Sequence, residues 1–498
     1  MTWPYGHWGR GLPRGAWLAA AGVLVVLVAA APGYGFHRDE LCFQEAGRHP
    51  AFGYPDQPPL VPLLAAAADA VSAGSIVLFR LAPALATALT VLVAALTSRE
   101  LGGTRVDASW TAVVTALASA VVATGHLFST ATFDLTLTAT CVLLLVRALQ
   151  EPERLGRWLL LGAVAGVALE VKTLPATVLL CCGIGVLVAG PRRVLLRSGP
   201  WLGAAVALAG ALPNLLWQQA NGWPQLELAR AIASGSSGTS VDRWLVVPLQ
   251  FELTGPVLLV VLVTGLVALL RNASVRWVGV AYLVLLAFVT VTGGKPYYML
   301  GLVPALLAAG VPPMRAWLAR GKVRRAVAWV LVAVNVVVTA VLVLPVVPAS
   351  ALASTPVTDI NYDAGETVGW GAFTATVERA LAQVPADHRT GLVVLTGNYG
   401  EAGALDRARR QGADLPPVYS GHNAYGWWGP PPGGGPLLLV GHRTDAEAAE
   451  LFTGCRLLGT IDNGLGLDND EQGATVRLCD GPVGGSWAAL WPRVRHLG

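Results

Sequence analysis

The chain has 498 residues, 54% hydrophobic and 13% charged, with net charge +4 and mean hydropathy +0.57. A soluble protein carries about a quarter charged residues; the deficit, with repeated apolar runs, excludes an ordinary soluble enzyme and gives a polytopic membrane protein. So small a net charge offers no ground for a nucleic-acid partner.

Hydropathy predicts about 11 spanning helices, at 16–33, 76–98, 108–126, 131–149, 157–171, 174–190, 199–217, 255–271, 276–292, 297–314 and 325–345. The first resembles a signal peptide, since "AAAPGYG" follows its apolar core, but cleavage would detach the charged stretch "FHRDEL" (36–41) from its anchor. Loop 34–75 is long, and its "PPLVPLLAAAADAV" predicts a helix lying along the membrane surface. Loop 218–254 contains Trp223, Trp244 and a Gly/Ser stretch, "ASGSSGTS". Beyond Pro348 the composition becomes that of a soluble domain. There "TGLVVLTGNYGEAGAL" reads as strand, tight turn and helix, and "GPLLLVG" as a second buried strand. The glycines of "GNYGEAG" lack the spacing of a phosphate-cradling loop, so a strand-to-helix connection is the expectation.

With the N-terminus inside, 17 Lys and Arg residues from Arg10 to Arg325 fall on the cytoplasmic side and 6 on the outer side. An odd number of spans puts the C-terminal region outside. The expected division is therefore 1–348, transmembrane, and 349–498, a small extracytoplasmic α/β domain. Richness in Ala, Val, Leu, Gly and Arg points to a GC-rich bacterium, hence to the plasma membrane. Cys455 and Cys479 are the cysteines of the outer region, where they can form a disulfide.

Ionisable groups recur at the outer helix ends. They are His37, Arg38, Asp39 and Glu40 after the first span, Asp56 in "YPDQPPLVPLL", and His126 between the third and fourth. Glu170 and Lys172 follow the fifth, and Lys295 precedes the tenth with Tyr297 and Tyr298. Taken singly, each suits an interfacial charge that snorkels to water. Asp134 differs, because it lies about one turn inside an apolar helix, where an unpaired carboxylate costs several kcal/mol. Carboxylates and cations at one membrane face suit transfer of a sugar from a lipid phosphate. Cations neutralise the leaving phosphate, and a carboxylate, most naturally Asp39, takes the proton of the incoming hydroxyl.

The stretch "HRDELCFQEAGRHPAFGYPDQPPLVPLL" resembles the first outer loop of the superfamily of protein mannosyltransferases and lipid A aminoarabinose transferases. The likeness continues in "TATFDLTLTA", "EVKTLP", "PNLLWQQANGWPQLELARAI", "GKPYYMLGLVPALLAAG", "NYGEAGAL" and "YSGHNAYGWWGPPP". It implies a type C glycosyltransferase fold, similar to bacterial dolichyl-phosphate-mannose-protein mannosyltransferases of glycosyltransferase family 39. The implied partners are a polyprenyl-phosphate sugar donor, an extracytoplasmic acceptor (protein, lipid or cell-wall glycan) and the bilayer. It also implies that Asp39 is the base, with Glu40 beside it. His37, Arg38, Asp56, Asp134, Lys172, Lys295 and Tyr297 would hold the donor's phosphate and sugar. Gln57 departs from the lysine of relatives that act on lipid A. No cofactor is certain. Some relatives hold a divalent metal near the phosphate, for which Asp56 and His126 are available, two residues that do not make a metal motif.

Two readings compete. A flippase of lipid-linked sugars would place its charges near the bilayer midplane, often in repeated halves, and the chain has no internal repeat. A glycan-binding protein would use Tyr425, Trp427 and Trp428 as an aromatic platform, but leaves Asp134 without purpose.

Overall fold

The computed structural model describes residues 11–235 and 241–498. Arg10, part of the inside-charge count, and residues 236–240 of the Gly/Ser stretch lie outside the described residues. Five helices are individually long and apolar enough to cross a membrane: Ile76–Glu100, Thr130–Gln150, Ser198–Ala220, Pro296–Leu318 and Lys322–Val343. Shorter apolar helices include Arg14–Ala30, Leu155–Leu169, Leu174–Ala189, Leu259–Arg271 and Arg276–Thr292. The helix expected over 108–126 is instead a pair, Arg105–Ala116 and Ser119–His126, bent by 60°. Asn335 explains how the break survives among apolar neighbours. Its side-chain amide donates to the freed carbonyl of Leu117 at 3.2 Å, and Ser119 shares a 2.8 Å hydrogen bond with Thr339. Both partners come from Lys322–Val343, most of which faces outward.

Glycines let the helices approach closely. A Cβ on Gly203 would lie 2.6 Å from the Trp158 carbonyl oxygen, and one on Gly166 3.2 Å from the Gly210 backbone, so only glycine fits Leu155–Leu169 against Ser198–Ala220.

Two short helices occupy the 34–75 loop. Leu60–Ser72 follows Pro58 and Pro59, as the proline turn predicts. Arg38–Arg48 begins at His37, whose Nδ1 accepts from the Asp39 N–H at 3.2 Å while the Glu40 carboxylate accepts from the His37 N–H at 2.8 Å. Asp39 and Glu40 thus stand in the first turn, where the helix dipole favours negative charge. Glu40 is fully buried. Arg80, 2% exposed at the joint between Ile76–Phe79 and Leu81–Glu100, grips it bidentately at 2.9 and 2.7 Å. The remaining Arg80 donors reach the carbonyls of Ala31 and Gly35, and the Phe128 N–H donates to Glu40 at 2.9 Å.

After residue 348 come short helices and a five-stranded sheet. Its strands are β1 (Val393–Thr396), β2 (Val418–Ser420), β3 (Leu437–Gly441), β5 (Arg456–Thr460) and β6 (Thr475–Cys479), in the order β2-β1-β3-β6-β5. β1, β2 and β3 run parallel, and β6 is antiparallel to both β3 and β5. A separate small pair joins β4 (Phe452–Thr453) to β7 (Gly481–Pro482). Cys455 and Cys479 form a disulfide. The expected strand-turn-helix is present: β1 leads through Asn398, which caps helix Tyr399–Arg410.

That helix lies directly on Arg38–Arg48. A Cβ on Gly403 would sit 2.9 Å from the Leu41 Cβ, and one on Gly400 2.7 Å from the Arg38 Cβ. Arg407 donates to Gln44 at 3.1 Å, and Arg410 pairs with Glu45.

Two outcomes follow from this packing. Glu40→Ala strands Arg80 as an unpaired buried charge and is expected to cost about 3–5 kcal/mol, read as a lowered Tm in detergent. Gly403→Val overfills the helix contact and is expected to cost about 1–3 kcal/mol, with Gly403→Ala nearer wild type in the same assay.

Candidate active site at the outer end of the bundle

Asp39 is half-buried, and its Oδ1 accepts a hydrogen bond from the Tyr399 hydroxyl at 2.7 Å. Two lysines carry the opposite charge. Lys172 follows helix Leu155–Leu169, and Lys295 leads into the turn Pro296–Leu302. Between them is Tyr297, whose hydroxyl accepts from the Lys172 ammonium at 3.5 Å. The two ammonium groups lie 4.8 and 5.9 Å from the Tyr297 ring centre. Among the described residues neither lysine has a carboxylate within 4.0 Å. Burial first, and then the positive charge of Lys172, pull Lys295 down to about 8, against the opposing charges of Asp39 and Asp363. Asp134 is buried in its helix, takes a 3.1 Å hydrogen bond from Thr138, and lies within electrostatic reach of Lys172. Asp39, Asp134, Lys172, Lys295 and Tyr297 are thus brought together.

Asp56 joins them from the loop. Burial, reinforced by the charge of Asp39, raises its carboxyl to about 7, although a backbone hydrogen bond opposes the shift. Its Oδ1 is buried without a partner among the described residues. Gln57 is also buried and holds the turn, its carbonyl accepting from the Tyr54 N–H at 2.9 Å.

Three members of the opening cluster are tied up elsewhere. Glu40, expected beside Asp39 as a catalytic group, spends both oxygens on Arg80 and two backbone N–H groups. Arg38, expected on the donor phosphate, points to the C-terminal region. It donates to Glu366 and Tyr362, each at 3.0 Å, and pairs with Asp470. His37 is buried with its Nε2 3.5 Å from Asp363. Burial lowers its pKa, but Asp363 and Asp39 outweigh that and leave it raised. Around Arg38, burial raises Glu401 to about 7 and Glu471 to about 9, the latter helped by Glu366 and Glu401.

His126 does not meet Asp56. It is buried against Arg80 and Glu40 and lines a cavity of about 30 Å³ with Tyr34 and Asp363. No group of three His, Cys, Asp or Glu side chains among the described residues could hold a metal ion. Asp56 and His126 therefore do not fit a shared metal, and no step here runs through one. The aromatic loop packs on the protein itself: Tyr425 is buried and donates to Asp406 at 3.0 Å, Trp428 stacks on His49 at 4.2 Å, and Trp427 lies against Arg495.

The sequence reading missed Arg80, Tyr362, Asp363, Glu366, Tyr399 and Asp470. Arg80 carried a signal: an arginine inside the apolar run "SIVLFRLAPALA" needs a buried partner, by the same reasoning that singled out Asp134. The others carried none, because their partners lie more than 300 residues away.

Residues 56–217 match the family model of dolichyl-phosphate-mannose-protein mannosyltransferases. No curated protein sequence matches the chain. Among solved structures, ArnT from Cupriavidus metallidurans bound to undecaprenyl phosphate aligns over 93% of this chain and 97% of its own, with TM-score 0.59 and 15% identity. Its apo form aligns over the same shares with TM-score 0.60 and 16% identity. An identity this low carries the fold alone, and the family match covers the stretch from the loop prolines to the seventh predicted span. Together they show that residues 56–217 resemble the protein mannosyltransferase family and that this multi-pass membrane chain shares the fold of ArnT.

Proposed function

We propose that the chain transfers one sugar from a polyprenyl-phosphate donor to an acceptor outside the cytoplasmic membrane, with Asp39 as the base. The observation that carries this reading is a half-buried carboxylate within electrostatic reach of Lys295, beside two lysines that share Tyr297 and, among the described residues, have no carboxylate within 4.0 Å. In the proposed reaction the acceptor hydroxyl loses its proton to Asp39 and attacks the anomeric carbon. The bond from that carbon to the phosphate oxygen breaks, and the anomeric configuration inverts. Lys172 and Lys295 hold the departing phosphate, Tyr297 spaces them, and Asp134 holds Lys172 in place. Two dispersed ammonium charges in a partly dehydrated site are worth more to a developing dianion than they would be in water. Asp56, within electrostatic reach of Asp39, is assigned to the sugar or the acceptor. His37, Arg38 and Glu40 shape the loop.

In this reading the five long helices, the bent pair and the five shorter apolar helices make 11 spans. The N-terminus is cytoplasmic, and residues 349–498 stand over the outer face of the plasma membrane. ArnT in its solved complex binds undecaprenyl phosphate; a similar lipid phosphate is the donor's carrier here. The sugar is a hexose or a pentose, and the acceptor a protein, a lipid or a cell-wall glycan.

The test is transfer of labelled sugar from a panel of polyprenyl-phosphate hexoses and pentoses by purified protein, with release to water as the fallback readout. Asp39→Asn is expected to lose about 10²–10⁴-fold in rate while still binding donor. Donor movement across vesicles without transfer would support the flippase reading instead. A second outcome concerns pH. Lys295 is charged below about 8 and neutral above it, so kcat/KM for donor is expected to fall as pH rises through that value. Lys295→Arg keeps its charge and should move the fall to higher pH.

A further inference from the structure

Resting on that reading, we propose that Tyr399, carried by the C-terminal sheet unit, is a positioning residue for Asp39. It fixes one carboxylate oxygen and leaves the other for the acceptor hydroxyl. The argument begins with donors and acceptors. Arg38 can only donate, and its Nε lies 3.3 Å from the Tyr399 oxygen, so the phenol accepts there. The single phenolic proton is then directed at Asp39 Oδ1, 2.7 Å away. Arg38 cannot swing off this duty, because Tyr362, Glu366 and Asp470 hold its other end. The Tyr399 ring is held as firmly. The Arg38 guanidinium carbon lies 5.2 Å from the ring centre, and the His422 ring packs at 4.8 Å. Gly400 and Gly403 admit the helix that carries Tyr399 to within contact of Arg38 and Leu41. The carboxylate is thus aimed by a residue 360 positions downstream.

Removing the hydroxyl has a predictable sign. A hydrogen bond donated to an ionised carboxylate favours that form, so its loss is expected to move the acid limb of the rate profile up. The other titratable or charged groups facing Asp39 are His37, Arg38 and Cys42 on or beside its own helix, Asp56 from the loop, and Lys295 and Tyr297 from the turn. Tyr399→Phe leaves them all in place.

The experiment compares wild type, Tyr399→Phe and Asp39→Asn with labelled undecaprenyl-phosphate mannose and arabinose between pH 5 and 9, alongside Tm and donor binding. Tyr399→Phe is expected to lose about tenfold in kcat, an effect of one charge-assisted hydrogen bond. KM for donor should hold within about twofold, and the acid limb of kcat/KM should rise by about one pH unit. An unmoved acid limb, or loss of donor binding in step with Tm, overturns the inference. If the Phe variant does not fold, Tyr399→His retains a ring donor; a profile with a wild-type acid limb and reduced kcat supports positioning, and a wild-type rate overturns it. Wild-type turnover that vanishes in Asp39→Asn upholds the underlying reading whichever way Tyr399 behaves. A wild type inert toward both donors, in transfer and in release to water, removes that reading and this inference with it.

Discussion

The buried Arg80–Glu40 pair organises the end of the helical bundle that meets the C-terminal sheet unit. It links the entrance of one apolar helix to the loop helix Arg38–Arg48, and through further hydrogen bonds reaches the end of the first helix at Ala31 and the backbone at Phe128. Two charges removed from water are tolerable only when every donor and acceptor is used, and here the bidentate geometry with backbone partners does so. The consequence is positional. With Glu40 held inward, its neighbour Asp39, about 100° further round the helix, meets Tyr399 and lies within electrostatic reach of Lys295.

Charge is divided unequally across the site. The C-terminal region spends Glu366 and Asp470 on Arg38, while among the described residues Lys172 and Lys295 keep no carboxylate within 4.0 Å. That separation matters because a cation already paired gains little from a second anion. A neighbouring ammonium also makes Lys295 easier to deprotonate, a shift characteristic of sites built to receive negative charge rather than of surface ion pairs.

Much of the architecture was legible in the chain. Apolar runs marked the helices, the double proline marked the start of Leu60–Ser72, and "VVLTGNYGEAGAL" marked strand, turn and helix. The break at Leu117–Ala118 was not, because it contains neither proline nor glycine and is stabilised by Asn335, more than 200 residues away. Within the candidate site, residue types near helix ends marked Asp39, Asp134, Lys172 and Lys295 as groups to examine, since ionisable groups at apolar boundaries need partners. The same rule could not separate Asp39 from Glu40, adjacent in sequence yet assigned to different partners by a single helical turn. Nor could it find Tyr399, whose relation to Asp39 exists only after two distant helices dock through Gly400 and Gly403.

The docking of helix Tyr399–Arg410 on Arg38–Arg48 bears on biogenesis. The loop helix is among the first segments to leave the ribosome, and the groups that hold Arg38 and Asp39 are among the last, since Tyr362, Glu366, Tyr399 and Asp470 all lie beyond residue 360. Throughout synthesis the charged turn therefore waits without these partners while the later helices are made. A chain interrupted anywhere before the sheet unit lacks Tyr399 and with it the hydrogen bond to Asp39. Such late closure, across contacts of very long sequence separation, makes the completed sheet unit a condition for the finished arrangement around Asp39.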